Sequence, residues 1–255
     1  MPELDLSIVI PAYKEAAKIE TDIRAAAAFI DEMQLSGEIV VVDDGSPDAT
    51  ASAARSLMPE FPQLRVLSYL PNRGKGHALR FGMTRATGNI ILFADSGLCV
   101  PYNVARLPLT MLGLKMCDIA HGSRRIPGST VKAQPLFRRL GSRAFKFFVH
   151  TAMGIPLYIS DTQCGFKAYR REVAHELYGA AFTDGFMYDT EIILRALKAK
   201  LRILEFPVIW SNDADSRFDP LKGTIPLLIQ LVNIRLGLLR PEAAKAAALA
   251  PVVER

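Results

Sequence analysis

Asp43 and Asp44 directly follow the apolar run Ile39-Val40-Val41-Val42, and Asp95 directly follows Ile90-Ile91-Leu92-Phe93-Ala94. A carboxylate at the end of a buried strand can accept hydrogen bonds from a base or a ribose, as in nucleotide-binding sheets. The same residues would also serve as a turn and a helix cap. Two such strand ends are harder to dismiss as turns than one. Between them, Asn72-Arg73-Gly74-Lys75-Gly76-His77 sets two glycines and two cations at the entrance of a helical pattern. Backbone amides at a helix N-terminus, with Lys or Arg beside them, can hold phosphate oxygens; a solvated turn is the plain alternative. The spacing is not that of the P-loop, which argues against an NTPase. Asp189 and Glu191 open a further helical pattern with Ile192, Ile193 and Ala196 on its apolar side. Acids in a first turn complement the helix dipole, so one of the two can be purely structural. His77, His121, His150 and His175 are scattered and read as noncatalytic. Cys99, Cys117 and Cys164 form no CxxC pair, which argues against a disulfide scaffold or a zinc site and for a reducing cytoplasm.

These side chains need strands and helices to hold them. Leu6 to Ile10, Glu38 to Val42, Arg65 to Ser68 and Asn89 to Phe93 read as strands, separated by helical patterns over 15–33 and 75–86. Ser46-Pro47-Asp48 reads as the start of another helix, with an N-cap followed by proline. Strands alternating with helices predict an α/β fold with a mainly parallel sheet and helices on both faces, its ligands gathered beyond the carboxyl ends of the strands. Pro11, Asp43, Asp44 and Asp95 all stand at such ends. Further on, helices are expected over 100–115 and 188–199, and strands over Asp118 to Gly122 and Arg202 to Ile209. Ala243 to Arg255 reads as a weakly ordered tail.

Taken together these segments resemble the family-2 glycosyltransferases, whose fold is the Rossmann-like GT-A fold that binds nucleotide sugars. Ser7-Ile8-Val9-Ile10-Pro11-Ala12-Tyr13-Lys14-Glu15 resembles their opening strand and loop, and Val41-Val42-Asp43-Asp44-Gly45-Ser46 their nucleotide-contacting turn. Asn72-Arg73-Gly74-Lys75-Gly76, Gly122-Ser123-Arg124 and Asp161-Thr162-Gln163-Cys164-Gly165-Phe166-Lys167 are similar to a narrower branch, the polyprenyl-phosphate (dolichyl-phosphate) glucosyl- and mannosyltransferases. The resemblance implies one glycosyltransferase domain over 1–240, with a nucleotide-sugar-binding half at 1–95, an acceptor half at 96–222 and a candidate interfacial helix at 223–240. The helix at 223–240 is read from the apolar run Ile225 to Leu239, bounded by Lys222 and Arg240, for which ordinary core packing is the equal alternative. The resemblance implies an inverting transfer of a hexose from a UDP-glucose or GDP-mannose type of donor to a polyprenyl phosphate or other lipid. Pro11, Ala12, Tyr13, Glu15, Asp44, Lys75 and Asp95 would surround the donor. Arg124, Asp161, Gln163 and Arg217 would serve phosphate or acceptor, and Asp189 and Asp95 would be catalytic. Asp95 would also begin the family's Asp-x-Asp metal motif, but Asp95-Ser96-Gly97 lacks the second aspartate. Mg²⁺ and Mn²⁺ prefer oxygen ligands, so any divalent metal held here is expected to be weak, with Lys75 and Arg217 neutralising the diphosphate instead.

Composition bounds the setting. The chain has 255 residues, enough to bury a large core, and its 50% hydrophobic and 22% charged residues describe a globular protein. No uncharged run approaches the roughly 20 apolar residues of a spanning helix, and the acidic start Met1-Pro2-Glu3-Leu4-Asp5 does not read as a signal peptide. The net charge of +5 raises the question of nucleic acid, but no nucleic-acid module is present. From Ser123 to Ser160 there is no acid, while Arg138, Arg139, Arg143 and Lys146 alternate at helical spacing with Leu136, Phe137, Leu140, Phe147 and Phe148. A charge run is usually a solvated face, but a cationic amphipathic helix of this kind can lie in a membrane interface. The expectation is thus a cytoplasmic enzyme peripheral to the inner face of a membrane. The alternatives are transfer to a soluble or diacylglycerol-type hydroxyl, and a nucleotide-sugar-binding protein without catalysis.

Overall fold

The computed structural model describes residues 4–131, 149–211 and 220–239. Leu6–Ala12 forms the central strand β1, with Gly37–Asp43 (β2) parallel on one side and Ile90–Ala94 (β4) parallel on the other. Leu64–Ser68 (β3) extends the sheet beyond β2. Phe166–Arg170 (β7) runs antiparallel between β4 and Ile119–Ser123 (β5), and Ile203–Pro207 (β8) closes the order β3-β2-β1-β4-β7-β5-β8. Thr130–Val131 (β6) and Ile209–Trp210 (β9) pair separately.

Successive side chains of a strand point to opposite faces, and here each face has its own core. Ile8, Ile10, Ile39, Val41 and Leu92 pack on one side, beneath α1 (Ile19–Glu32), α2 (Thr50–Ser56) and α4 (Arg106–Gly113). Val9, Val40, Val42, Ile91 and Phe93 pack on the other, against α3 (Lys75–Met83), α5 (Arg171–Ala180), α6 (Tyr188–Lys198) and α7 (Pro220–Leu239). The expected α/β sheet with helices on both faces is therefore present, and among its pairings only those of β7 are antiparallel.

The helix expected from Ser46 begins instead at Thr50. Asp48 Oδ1 accepts from the Thr50 amide at 3.1 Å, while Ser46 Oγ is drawn away to accept from the Lys14 amide at 2.9 Å. The helix expected over 100–115 is divided into a 3₁₀ turn at Tyr102–Ala105 and α4. Arg138, Arg139, Arg143 and Lys146, Arg217, and the tail 241–255 lie outside the described residues. Among the described residues no helix is long and apolar enough to cross a membrane.

Candidate active site

Strands β1, β2 and β4 run parallel and end side by side, so the segments that follow them share one rim. The antiparallel β7 starts at that same rim, because Phe166 pairs with Ala94, the last residue of β4. This inversion brings the loop 161–165 against the end of β4. Asp95 donates its amide to the Gly165 carbonyl at 2.9 Å. Its carboxylate lies over the bare Cα of Gly165, where any β-carbon would overlap it.

Asp95 also pairs with Lys75 at 2.5 Å, across from the start of α3. About a quarter of each side chain remains open to solvent. Beneath them lies a second pair, Asp189 with Lys167, whose side chains are 5% and 1% exposed. Lys167 Nζ also donates to the Thr162 carbonyl at 3.0 Å. Burial pulls the Lys75 ammonium down, but the nearby carboxylates of Asp95 and Asp189 outweigh it and leave the pKa raised, so Lys75 is charged. Burial lifts the Asp189 carboxyl above its ordinary range, against the pull of Lys167 and Lys75. The rim therefore carries alternating charges, Asp95, Lys75, Asp189 and Lys167, with only the first two reachable from solvent. Glu191, also on α6, is structural. It accepts from the amides of Phe182 and Thr183 and from Arg195.

The amides at the start of α3 do not form the phosphate cradle expected of them. Gly76 and His77 donate to the Asp184 carbonyl, at 2.8 and 3.3 Å. Gly74, at φ +105°, and Gly76 are needed for that close approach, since a β-carbon on either would strike the carbonyl groups of residues 183–185. Lys75, paired with Asp95 and still partly open to solvent, is the cation that this segment brings to the rim.

Asp44 is buried, and its carboxylate meets protein donors where a base or ribose contact was expected. It accepts from Tyr69 Oη at 2.8 Å, Asn72 Nδ2 at 2.8 Å, and the amides of Arg73 at 2.8 Å and Gly74 at 2.9 Å. The strand-end acid thus fixes the loop that delivers Lys75. Asp44→Ala should strip several charge-assisted hydrogen bonds, each contributing roughly 1.5–3 kcal/mol, and so lower stability and donor affinity together. A urea melt unchanged within about 0.5 kcal/mol would remove Asp44 from the loop's support. Pro11, Ala12, Tyr13 and Glu15 lie at the end of β1, directly beside the turn that follows β2. The Lys14 and Glu15 amides are strapped to Ser46 Oγ at 2.9 Å and Thr50 Oγ1 at 2.8 Å, and the Asp44 amide to the Ala12 carbonyl at 2.9 Å.

Arg124, Asp161 and Gln163 come together where β5 ends and the 161–165 loop begins. Arg124 grips Asp161 with Nε at 2.7 Å and Nη2 at 2.8 Å, while its own amide donates to Asp161 Oδ2 at 3.0 Å. Its guanidinium also stands 5.4 Å from the centroid of the Trp210 ring. The Asp161 amide donates to Glu205 at 2.8 Å. Gln163 Nε2 is buried without a hydrogen-bond partner among the described residues. Burial opposes ionisation of Asp161, but Arg124 overrides it and holds the carboxyl down at about 2. A depressed pKa stabilises the fold above the unfolded value and loses that contribution as pH falls through the folded one. Asp161 should therefore contribute about 2 kcal/mol of stability that is complete above roughly pH 4 and gone below about pH 2. Acid unfolding followed by circular dichroism should show this slope in the wild type and not in Asp161→Asn.

Two residues of the rim had no assigned role at the sequence level. Lys167 closes the branch-like segment Asp161–Lys167, which carried no role for it. Asp22, on the buried face of α1 with Ile19, Ile23 and Ala26, accepts from Ser96 Oγ at 2.5 Å and from the amides of Gly97 at 3.0 Å and Leu98 at 3.1 Å. Asp22 thus anchors the loop after Asp95. In that loop Gly97 has φ +91°, a conformation in which a second aspartate would be strained. The described residues do not by themselves compose a divalent-cation site. Asp95 is the motif's single carboxylate and is paired with Lys75, and among the described residues no three His, Cys, Asp or Glu side chains converge to hold a metal.

The model of glycosyl transferase family 2 matches residues 7–178. The chain belongs to this family. The glycosyltransferase is 32% identical over 232 residues to dolichyl-phosphate beta-glucosyltransferase of Drosophila melanogaster, spanning 86% of this chain and 71% of that one. It is 30% identical over 256 residues to the dolichyl-phosphate beta-glucosyltransferase of Saccharomyces cerevisiae, spanning 93% and 76%. In structure it is similar to glucosyl-3-phosphoglycerate synthase of Mycobacterium tuberculosis, solved with Mn²⁺, UDP and glucosyl-3-phosphoglycerate, with a TM-score of 0.69 at 20% identity over 94% of this chain and 82% of that one. It is also similar to a mannosyltransferase of Pyrobaculum calidifontis, solved with GDP-Man and Mn²⁺, with a TM-score of 0.62 at 21% identity over 96% and 66%. The glycosyltransferase has the GT-A fold that its motifs implied.

Proposed function

We propose that this glycosyltransferase moves glucose from UDP-glucose to the phosphate of a polyprenyl phosphate, with inversion at the anomeric carbon. Its dolichyl-phosphate beta-glucosyltransferase relatives support the sugar and the acceptor class. The observation that carries the choice of a phosphate over a hydroxyl acceptor is the burial of Asp189 in its pair with Lys167. A hydroxyl acceptor needs a base to take its proton, and that carboxylate is withdrawn from solvent. A phosphate acceptor is already an anion.

In this reading the base and ribose lie between the Pro11–Glu15 wall and the Asp43–Asp44 turn, and the diphosphate meets Lys75. An acceptor phosphate oxygen attacks the anomeric carbon from the face opposite the diphosphate. The new carbon–oxygen bond forms as the old one breaks, and the electron pair leaves with the UDP. Lys75 neutralises the charge that develops there, with Arg217 as the second cation that the reading calls for. Arg124 and Gln163 flank the acceptor side. A polyprenyl tail confines the acceptor to a bilayer, so the enzyme works peripherally, from the cytoplasmic face.

The test is transfer from radiolabelled UDP-glucose and GDP-mannose to polyprenyl phosphate, polyprenol or diacylglycerol in detergent micelles. Label should enter the lipid from UDP-glucose and only with polyprenyl phosphate. Equal transfer to polyprenol, or none to any acceptor, would overturn the reading. Because Asp95 stands without a second aspartate, transfer should persist in EDTA. Complete loss restored by micromolar Mn²⁺ would mean that the donor's diphosphate supplies the missing ligands.

A further inference from the structure

His121, on β5, is fully buried, and neither of its ring nitrogens has a hydrogen-bond partner among the described residues. A buried polar group left without a partner is costly, and folded proteins leave few of them. The ring beside it does not supply one. Tyr169 packs against the imidazole edge-on, with centroids 6.2 Å apart, and its hydroxyl accepts instead from the Tyr178 hydroxyl at 3.3 Å.

Directly opposite His121 on the neighbouring strand is Lys167. Opposed residues of an antiparallel pair share one face of the sheet, so imidazole and lysine lie on the same buried face. A lysine ammonium has three donors. Lys167 gives one to the Thr162 carbonyl at 3.0 Å and one to Asp189, and it has no third acceptor among the described residues. A neutral imidazole offers one acceptor and one donor. Burial, helped by the Lys167 charge and opposed by that of Asp161, holds the His121 pKa well below its ordinary value, so the ring is neutral. A spare donor and a spare acceptor thus stand on opposed residues, with no direct hydrogen bond between them. A single water molecule can accept from one and donate to the other, as buried waters do for polar groups that do not meet.

We propose that a buried water bridges Lys167 Nζ to His121, and that His121 is through this bridge a positioning residue for Asp189 and Lys75. Held by Thr162, Asp189 and the water, the Lys167 ammonium stays directed at the Asp189 carboxylate. That pair underlies the rim: Lys167 Nζ and Lys75 Nζ each stand 5.9 Å from the centroid of the Phe93 ring. Without the third acceptor the ammonium can turn away, and Asp189 loses its fixed place below Lys75. The imidazole itself touches neither sugar donor nor acceptor. The kinetic part of this inference rests on the reaction proposed above, whereas the water and its effect on stability do not.

The experiment compares His121→Phe with His121→Gln. Phenylalanine fills a similar space without polar atoms, so in a dry site it would raise the melting midpoint by removing two unpartnered nitrogens. In the proposed site it takes away the acceptor behind the water, and the midpoint should fall by roughly 3–8 °C. Glutamine again offers an acceptor and a donor, and should recover most of that loss. In micelles His121→Phe should lower kcat about tenfold with KM for UDP-glucose little changed, and His121→Gln should restore kcat. A high-resolution crystal structure of the wild type should place one water within hydrogen-bond distance of both Lys167 Nζ and a His121 nitrogen. A Phe variant that melts at or above the wild type, a Phe variant with wild-type kcat, a Gln variant no better than Phe, or a site without the water would each overturn the proposal. Should His121→Phe not fold, the Gln variant and the wild-type structure still decide it. Failure of the wild type to transfer sugar would instead overturn the assigned reaction, leaving the water and the order of the melting midpoints to be judged on their own.

Discussion

Lys75→Ala should lower kcat for sugar transfer by about 10²–10³-fold, with the protein still folded. Lys75 is the charged group at the start of α3 that reaches both the Asp95 carboxylate and solvent. A cation fixed where leaving-group charge develops counts for more than one in water, because it pays no reorganisation at the moment of reaction. The loss should fall on kcat more than on KM, since the charge is larger in the transition state than in the bound donor. The substitution also leaves Asp95 and Asp189 without the cation between them, so folding must be checked by thermal melting. A folded variant with unchanged kcat would exclude Lys75 from the chemistry.

Gly165→Ala should be nearly as damaging, by about 10²-fold in kcat/KM, although a single methyl group is added. The β-carbon would overlap the carboxylate of Asp95, so either that carboxylate or the start of β7 must move. The damage should pass through Asp95, which gives a sharper test than activity alone. In an Asp95→Ala background the added methyl finds no carboxylate to displace, and Gly165→Ala should then cost little more. Such non-additivity is expected of residues that act through one contact. Additive losses would show that Gly165 serves β7 rather than Asp95.

The strands and helices from residue 6 to 94 were legible because the two central strands are β-branched runs and the crossovers over 15–33 and 75–86 have helical spacing; the crossover after β2, read from a cap signal, was placed with its start four residues early. Strand β7 was not. Its alternation is broken by Lys167, a cation in an interior position, and its direction depends on a partner more than 70 residues earlier in the chain. The rim acids were legible as positions and less so as contacts. Asp44 stood out at a strand end, but the donors that occupy it lie 25–30 residues away, and no local pattern announces them. Asp22 is by position a first-turn acid of α1, and nothing in its local pattern announces the loop that it anchors. Lys75, Asp95 and Asp189 were singled out by residue type and position. That Lys167 would bury one of them could not be read from spacing, because a buried ion pair is a property of the packed sheet.

Strand β7 also has a consequence for how the chain assembles. β1 to β4 pair among themselves and can form as each is synthesised, but β5 has no place in the sheet until β7 arrives to join it to β4. Until Phe166–Arg170 is made, β4 presents a bare edge of unpaired amides and carbonyls, the kind of edge that recruits strands from other molecules. Non-local pairing of this kind is slow. The nascent first half is therefore the form most exposed to aggregation, and insertion of β7 both seals that edge and sets Gly165 under Asp95.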